Sequence, residues 1–291
     1  MTTNPEQGAS SSAYFIHDSS TELARLVKQE RALAKALGGL LPEQEDQEAF
    51  VAPLQRVLDA ACGSGGWVLE MARTYPHLEV LGFDIDARMI EYATTQAPAS
   101  GFANAGFRVL DARQPLDYPD DFFDLVSARW LGGVGPQKWV STLQEFKRVI
   151  CPGGYVRLTE TETFSLSNSA ALEQLSSMFT QALKRVGLSL SPDGRHYGIT
   201  PMLASFVREA GYENIRRRPL VIDWSSGMPD HDAISDNIKV LVRLLQPFLV
   251  NVGMIGNEEF ERLYHEAEMD MLSDTFCALW NFYTIWARKP E

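Results

Sequence analysis

A glycine-rich turn between a short apolar run and a helical period is the segment of this sequence best suited to chemistry. Residues 61–65, A-C-G-S-G, follow the apolar run 57–60 and precede the helical period. Glycine allows a sharp turn and a close approach of a ligand to the backbone, and the following helix presents free N–H groups. Asp84 ends the next apolar run, where a carboxylate can accept hydrogen bonds from both ribose hydroxyls. The spacing predicts a nucleoside site.

Two classes of nucleoside-binding enzyme share this outline. Nicotinamide enzymes have the fingerprint G-x-G-x-x-G, in which the start of the helix holds a pyrophosphate. Here Asp59 precedes the turn, and a carboxylate at this point repels a pyrophosphate but suits a cationic amino-acid tail. The residues therefore favour S-adenosylmethionine as the cofactor. An NAD-dependent oxidoreductase is the alternative.

The turn resembles motif I of the class I S-adenosylmethionine-dependent methyltransferases, D-x-G-x-G-x-G. Asp59, Gly63 and Gly65 match the motif, and Ala61 replaces its first glycine. The resemblance covers roughly residues 50 to 162, and the segment after 200 more loosely. It implies methyl transfer in a small-molecule enzyme, similar to the ubiquinone/menaquinone C-methyltransferase-like set or to natural-product methyltransferases. Ala61 is the only visible damage to the motif, so a non-catalytic methyltransferase-like binding subunit is a further alternative.

The same resemblance implies which residues surround the adenosine part of the cofactor. Asp84 falls on the position that binds the ribose. Ile85 and Met89 follow it and are expected beside the adenine ring. Asp111 and Ala112, after the third predicted strand, resemble the pair that recognises the adenine amino group and ring edge.

Residues at the methionine end and at the acceptor follow from the same comparison and from the chemistry. Arg129 and Trp130 end the fourth predicted strand, where the family binds the methionine end of the cofactor. Tyr14 either folds over the cofactor as a lid or anchors the N-terminal arm with its aromatic ring. Methyl transfer from a sulfonium mainly needs alignment and exclusion of water, so a catalytic residue is optional. A phenol, amine or carbon acceptor can use a general base, for which Glu160 and His196 are the candidates.

The elements that must position these residues alternate from residue 56 onwards. Short apolar runs alternate with helical periods, and five strands with four crossover helices require a parallel, right-handed sheet. The predicted fold is α/β, a Rossmann-like, seven-stranded, mostly parallel sheet with an antiparallel last strand, an N-terminal helical arm and helical inserts. The predicted segments are an arm (1–45), a cofactor-binding core (46–163), an insert (164–200) and the rest of the core (201–291) with a helical insert (229–272).

Charge and cysteine content narrow the partners and the location. A net charge of −12 disfavours nucleic acid as a partner. Cys62, Cys151 and Cys277 are too scattered for a disulfide framework or a zinc site, so no metal is expected. The sequence begins without the pattern of a signal peptide and contains no apolar stretch long enough to span a membrane, which predicts a cytoplasmic protein.

The last third of the chain is rich in large apolar side chains. They are Trp224, Phe248, Met254, Trp280 and Phe282. Core packing and subunit contact are one interpretation, and a pocket for an apolar substrate is the other. We therefore expect a small, mainly apolar acceptor and a possible homo-oligomer formed through the helical inserts or the N-terminal arm.

Overall fold

The described part of the chain, residues 19–99 and 101–291 of a computed structural model, follows the predicted alternation of strands and helices. The strands are β1 (Arg56–Ala60), β2 (Glu79–Asp84), β3 (Ala105–Val109), β4 (Phe123–Arg129), β5 (Ile150–Glu160), β6 (Leu166–Ser167), β7 (Glu213–Asp223) and β8 (Ala278–Arg288). The helices are α1 (Ser19–Leu37), α2 (Gln47–Val51), α3 (Gly66–Thr74), α4 (Ala87–Ala99), α5 (Trp139–Val149), α6 (Ala170–Arg185), α7 (Leu203–Glu209), α8 (His231–Asn251) and α9 (Asn257–Met271).

All of the described strands belong to one mixed sheet. Its order is β3-β2-β1-β4-β5-β8, and β7 pairs with β8 at the outer edge. Strands β1 to β5 run parallel, whereas β8 is antiparallel to β5. The mostly parallel sheet with an antiparallel last strand is confirmed. The sheet has one strand more than the seven predicted, the two-residue strand β6, which pairs with the start of β8.

The order of the strands places their functional ends together. Strands β1 and β4 are neighbours although two strands separate them along the chain, so the chain runs outward from β1 in both directions. In open α/β sheets, ligands bind at the carboxyl ends of the strands beside such a switch point. The carboxyl ends of β1, β2, β4 and β5 are therefore where the predicted site residues meet.

Helices cover both faces of the central strands. On one face, Trp139 of α5 stacks on Phe206 of α7, with ring centroids 5.9 Å apart. On the other, Trp67 and Met71 of α3 are buried against β1 and β2. Burial on both faces explains why the parallel strands are nearly continuous apolar runs in the sequence.

One connection differs from the prediction of four crossover helices. The chain between β3 and β4 contains no helix, so three helices, α3, α4 and α5, join the five parallel strands. Pro115 and Pro119 lie in this connection, and each removes a backbone N–H that a helix would need. The connection instead carries Asp111 past the end of the sheet.

The inserted helices form a second layer of core with α1. Helix α1 packs on α8, and α6 packs on α8 and α9. Trp224, Trp280 and Phe282 are buried in this layer, whereas Phe248 and Met254 are partly buried at its border. The core interpretation therefore holds for Trp224 and Phe282, whereas Trp280 also lines the cavity described below. The predicted insert 164–200 contains α6, and the predicted helical insert 229–272 contains α8 and α9.

A helix that spans a membrane needs about 20 mainly apolar residues. None of the helices in the described ranges is both long and apolar enough to cross a membrane.

Candidate active site

The turn after β1 has the backbone of a glycine loop. Gly63 and Gly65 have φ angles of 54° and 77°, and Ala61, which replaces a motif glycine, has a φ of 57°. A side chain on Gly65 would place its Cβ atom 2.6 Å from the Phe107 ring. A Cβ atom on Gly63 would meet only Leu26, at 3.7 Å. The turn is therefore open at Gly63 and closely packed at Gly65.

Asp84 is joined to this turn by hydrogen bonds. Its carboxylate accepts from the backbone N–H of Gly63 at 2.9 Å and from that of Asp86 at 2.9 Å. Burial raises the pKa of Asp84 above its usual value. The carboxyl group thus holds the glycine turn while it lines the cavity described below.

Beneath the turn lies a buried acid with an unpartnered oxygen. Asp59 is 1% exposed, and its Oδ2 atom has no hydrogen-bond partner among the described residues. Burial raises the pKa of Asp59 to about 7, against the lowering effect of Arg129. Arg129 is itself held by Glu30 of α1, with two hydrogen bonds of 3.0 and 2.9 Å. A buried polar atom without a partner is costly, so this acid is suited to receive a cationic ligand group.

The predicted adenine contacts cluster beyond Asp84. Ile85 is exposed and Met89 is buried, and both line the same cavity. Asp111 and Ala112 also line it, at the end of β3. Arg113 makes a bidentate hydrogen bond to Asp111, at 2.9 and 2.8 Å, and lowers the pKa of this carboxyl group. Asp111 is therefore ionised and oriented at neutral pH.

One cavity of about 360 Å³ connects these residues. Of the predicted residues, those that line it are Ala61, Gly63, Asp84, Ile85, Met89, Asp111, Ala112, Arg129, Trp130 and Glu160. Asp59, Gly65 and His196 are not part of its wall. Tyr14 lies outside the described residues.

The far end of the cavity is apolar. It is lined by Phe164 after β5, Phe179 and Leu183 of α6, Leu241 and Leu245 of α8, and Trp280 of β8. In the sheet, β4 and β5 separate this end from the β1 turn. The cavity thus has a polar half at β1 to β3 and an apolar half between β5 and the inserted helices.

Glu160 lies where the two halves meet, at the end of β5. Its side chain is 2% exposed, and its Oε1 atom accepts a hydrogen bond from the backbone N–H of Leu131 at 2.6 Å. Burial raises the pKa of Glu160 to about 8. Tyr197 and Glu162 also line this region, and burial together with the two neighbouring carboxylates raises the pKa of Tyr197. A carboxyl group with such a pKa can exchange a proton near neutral pH.

Comparison with known proteins agrees with this geometry. Residues 57–154 match a family model described as a methyltransferase domain. A demethylmenaquinone methyltransferase from Deinococcus radiodurans is 30% identical over 154 residues, which are 53% of this chain and 62% of that protein. Residues 57–154 therefore form a methyltransferase domain. The chain spans less than two thirds of the length of the first curated relatives that it matches.

Solved structures show that the methyltransferase fold extends beyond the matched domain. The Haemonchus contortus phosphoethanolamine N-methyltransferase 2, in complex with phosphomonomethylethanolamine and S-adenosylhomocysteine, has a TM-score of 0.52 and 17% identity, and the match covers 96% of this chain and 60% of that one. The YcgJ protein from Bacillus subtilis has a TM-score of 0.50 and 18% identity over 88% of this chain and 99% of its own.

The residues present fit S-adenosylmethionine, the cofactor that the resemblance to motif I implies. The open backbone at Gly63 leaves room for the ligand, and Asp84 lies beside it for the ribose. The unpartnered oxygen of Asp59 suits the ammonium group at the methionine end. Ala61 has the backbone conformation that the motif glycine would supply, so the substitution leaves the turn intact. Which residues touch the cofactor stays a prediction.

His196, the second candidate general base, does not line the cavity. Its Nδ1 atom lies 3.3 Å from the Glu162 carboxylate without a hydrogen bond between them. Glu162 accepts hydrogen bonds from the backbone N–H groups of Gly198 and Thr200. Glu162 therefore anchors this loop through its backbone, and Tyr197, the neighbour of His196, reaches the cavity instead.

Sequence analysis missed the contribution of α1 to the cavity wall. Glu22, Arg25 and Gln29 line the cavity and are 1%, 7% and 5% exposed. Arg25 pairs with Glu22 at 2.6 Å and donates to Asn237 of α8 at 2.9 Å. A signal was present in the sequence, because these three polar residues follow one another at intervals of three and four. In a helix this spacing puts them on one face.

The two buried acids make the stability of the ligand-free methyltransferase depend on pH. Asp59 and Glu160 have pKa values of about 7 and about 8, above their values in the unfolded chain. Their contribution to stability is therefore complete below about pH 4 and is lost as the pH rises through 7 and 8. We expect urea denaturation to give a free energy of unfolding about 5 kcal/mol lower at pH 8.5 than at pH 5.5.

The variant Glu160→Gln separates the contribution of Glu160 to this pH dependence from that of the other titratable groups. Its amide oxygen can still accept from Leu131, but it no longer titrates. We expect the difference between the two pH values to shrink in the variant. A free energy of unfolding that is equal at both pH values in the native protein, or higher at pH 8.5, would contradict the assigned pKa directions.

Proposed function

We propose that this protein transfers a methyl group from S-adenosylmethionine to a small, mainly apolar acceptor by in-line displacement. The proposal rests on one continuous cavity that has a polar half, with the residues expected at a cofactor, and an apolar half. The polar half holds the methyl donor, and the apolar half holds the acceptor. A curated relative named for demethylmenaquinone supports a small-molecule acceptor.

The residues of the chain perform two tasks in this proposal. When bound, the cofactor supplies an electrophilic methyl carbon on its sulfonium. The aromatic and leucine side chains of the apolar half hold the acceptor in line with that carbon and exclude water. Glu160 accepts the proton that the acceptor loses, while the bond to the methyl group forms and the carbon–sulfur bond breaks. His196, which lies off the cavity wall, has no role in this step.

Calorimetric titration tests the cofactor half of the proposal. We expect micromolar binding of S-adenosylhomocysteine to the purified protein and no binding of NAD in a parallel titration. Binding of NAD alone would support the oxidoreductase alternative instead. With the cofactor half confirmed, a panel of apolar aromatic acceptors is incubated with S-adenosylmethionine that carries a labelled methyl group. Binding without methyl transfer to any member would favour the non-catalytic subunit.

The cytoplasmic location, the exclusion of nucleic acid and the possible homo-oligomer stay predictions. The division into an arm, a core and two inserts also stays a proposal. It is supported by the packing of α1 on α8 and of α6 on α8 and α9.

A further inference from the structure

Positive charge in the cavity is already neutralised. The described arginines that line it each pair with a carboxylate. The pairs are Arg25 with Glu22 at 2.6 Å, Arg113 with Asp111 at 2.8 Å and Arg129 with Glu30 at 2.9 Å. All three pairs have side chains that are less than one third exposed. An anionic ligand therefore meets no unpaired guanidinium on the described wall.

The described arginine beside the apolar half, Arg25, is already paired with Glu22 and donates a hydrogen bond to Asn237 of α8. The other titratable side chains of this half are Glu160, Glu162 and Tyr197. Residues 1–18 contain neither Lys nor Arg in the sequence, and residue 100 is a serine. No undescribed residue of the chain could therefore supply a lysine or arginine to this half.

The two glutamates differ in what they can still bind. Both hydrogen bonds recorded for Glu162 come from the backbone of the 198–200 loop, and His196 lies 3.3 Å away. Glu160 accepts one hydrogen bond, from Leu131 to its Oε1 atom. In the described structure its Oε2 atom has no hydrogen-bond partner and remains accessible, and the side chain lines the cavity. Glu160 is the group that can accept from a ligand.

We propose that the apolar half selects an aromatic acceptor that carries a hydroxyl or amino group and no anionic group, and that this group donates a hydrogen bond to Glu160. The inference rests on the proposed function and names the acceptor class of the same site. Phe164, Phe179 and Trp280 provide the aromatic surface for the ring. Glu160 provides the matching acceptor for the donor group.

Selection against anions follows from charge and burial together. Transfer of a carboxylate or phosphate from water into an apolar wall is costly unless a cation pairs with it. Here the nearest titratable groups are carboxyl groups, which add repulsion wherever they are ionised. Discrimination of this kind depends on the unfavourable contact as much as on the favourable one.

Four naphthalene compounds test the proposal because they share one ring and differ in one substituent. They are 2-naphthylmethanol, 2-naphthylmethylamine, 2-(methoxymethyl)naphthalene and 2-naphthoate. Each is titrated by calorimetry into protein saturated with S-adenosylhomocysteine at pH 8.5, where Glu160, with a pKa of about 8, is mostly ionised. We expect the alcohol or the amine to bind at least tenfold more tightly than the ether and the carboxylate.

Glu160→Gln and a matched control extend the test. Glu173 also accepts a backbone N–H, that of Ser167 at 2.7 Å, but does not line the cavity. We expect Glu160→Gln to reduce the preference for the alcohol or amine over the ether at least fivefold, and Glu173→Gln to leave it unchanged. Comparison of the alcohol with the amine identifies which donor the site takes.

Several results would overturn the proposal. Binding of naphthoate as tight as that of the alcohol and the amine would refute the charge argument, and equal binding of the ether would refute the hydrogen bond to Glu160. Binding of S-adenosylhomocysteine without binding of any naphthalene compound would refute the acceptor class alone. Absence of S-adenosylhomocysteine binding would refute the proposed function as well, so the two failures are distinguishable.

Discussion

Replacement of Glu160 by glutamine is expected to lower kcat for methyl transfer by about 10²- to 10⁴-fold, the range that general bases contribute. The amide keeps the size of the side chain and can still accept from the backbone N–H of Leu131. It cannot take the proton of the acceptor. The loss should therefore appear in kcat, whereas the affinity for S-adenosylhomocysteine measured by calorimetry should stay the same.

The pH profile separates this role from a structural one. Burial raises the pKa of Glu160 to about 8, with Leu131 acting in the opposite direction and Glu162 adding to the increase. A base must be ionised to act, so kcat of the native protein should rise with pH and level off above about 8. The glutamine variant should lack this rise.

Glu173→Gln is the matched control for this experiment. It also removes a carboxylate that accepts a backbone N–H, but in the insert rather than in the cavity. We expect it to retain the native kcat and pH profile. If Glu160→Gln retained the native rate, or kept the same rise with pH, Glu160 would not be the base.

Asp84→Ala is expected to weaken binding of S-adenosylhomocysteine by about 10- to 150-fold, which corresponds to the loss of a hydrogen bond to a charged group. Asp84 lines the cavity at the end of β2 and holds the backbone of Gly63. The variant removes the acceptor for the ribose hydroxyls and loosens the glycine turn. Both effects act on the cofactor, and isothermal titration calorimetry measures their sum.

Asp124→Ala controls for the structural part of this loss. Asp124 accepts from the backbone N–H groups of Gln55 and Arg56, at 2.7 and 2.8 Å, and does not line the cavity. We expect this variant to lose stability in urea denaturation but to keep its affinity for S-adenosylhomocysteine. Unchanged affinity in Asp84→Ala would contradict the assignment of Asp84 to the ribose. Equal losses of affinity in both variants would show that the loss comes from a change in structure.

Local sequence was enough to predict the cofactor half of the site. The backbone of residues 61–65 depends on small side chains at those positions, and this is visible in the sequence even where Ala61 replaces glycine. Asp84 and Asp111 follow apolar runs that form parallel strands, so their places at the sheet edge follow from the strand pattern. Family resemblance added the cofactor to this geometry.

The acceptor half was decided by contacts between distant segments. Phe164, Phe179, Leu241 and Trp280 come from a loop and three elements whose meeting point no local pattern specifies. The same holds for α1, whose polar face could be seen as a spacing but not as a cavity wall. His196 and Tyr197 are adjacent in the chain, yet only the packing of their loop turns one toward the cavity.

Glu160 and Asp59 show the physical reason for this division. Their positions at the ends of strands could be read from the sequence, because strand propensity and glycine turns are local properties. Their pKa values could not, because burial by α1, the inserted helices and the neighbouring strands removes the water that would keep them acidic. Residue types and spacing therefore determined the fold family and the cofactor, whereas tertiary packing decided which acids titrate near neutral pH and what the acceptor pocket can hold.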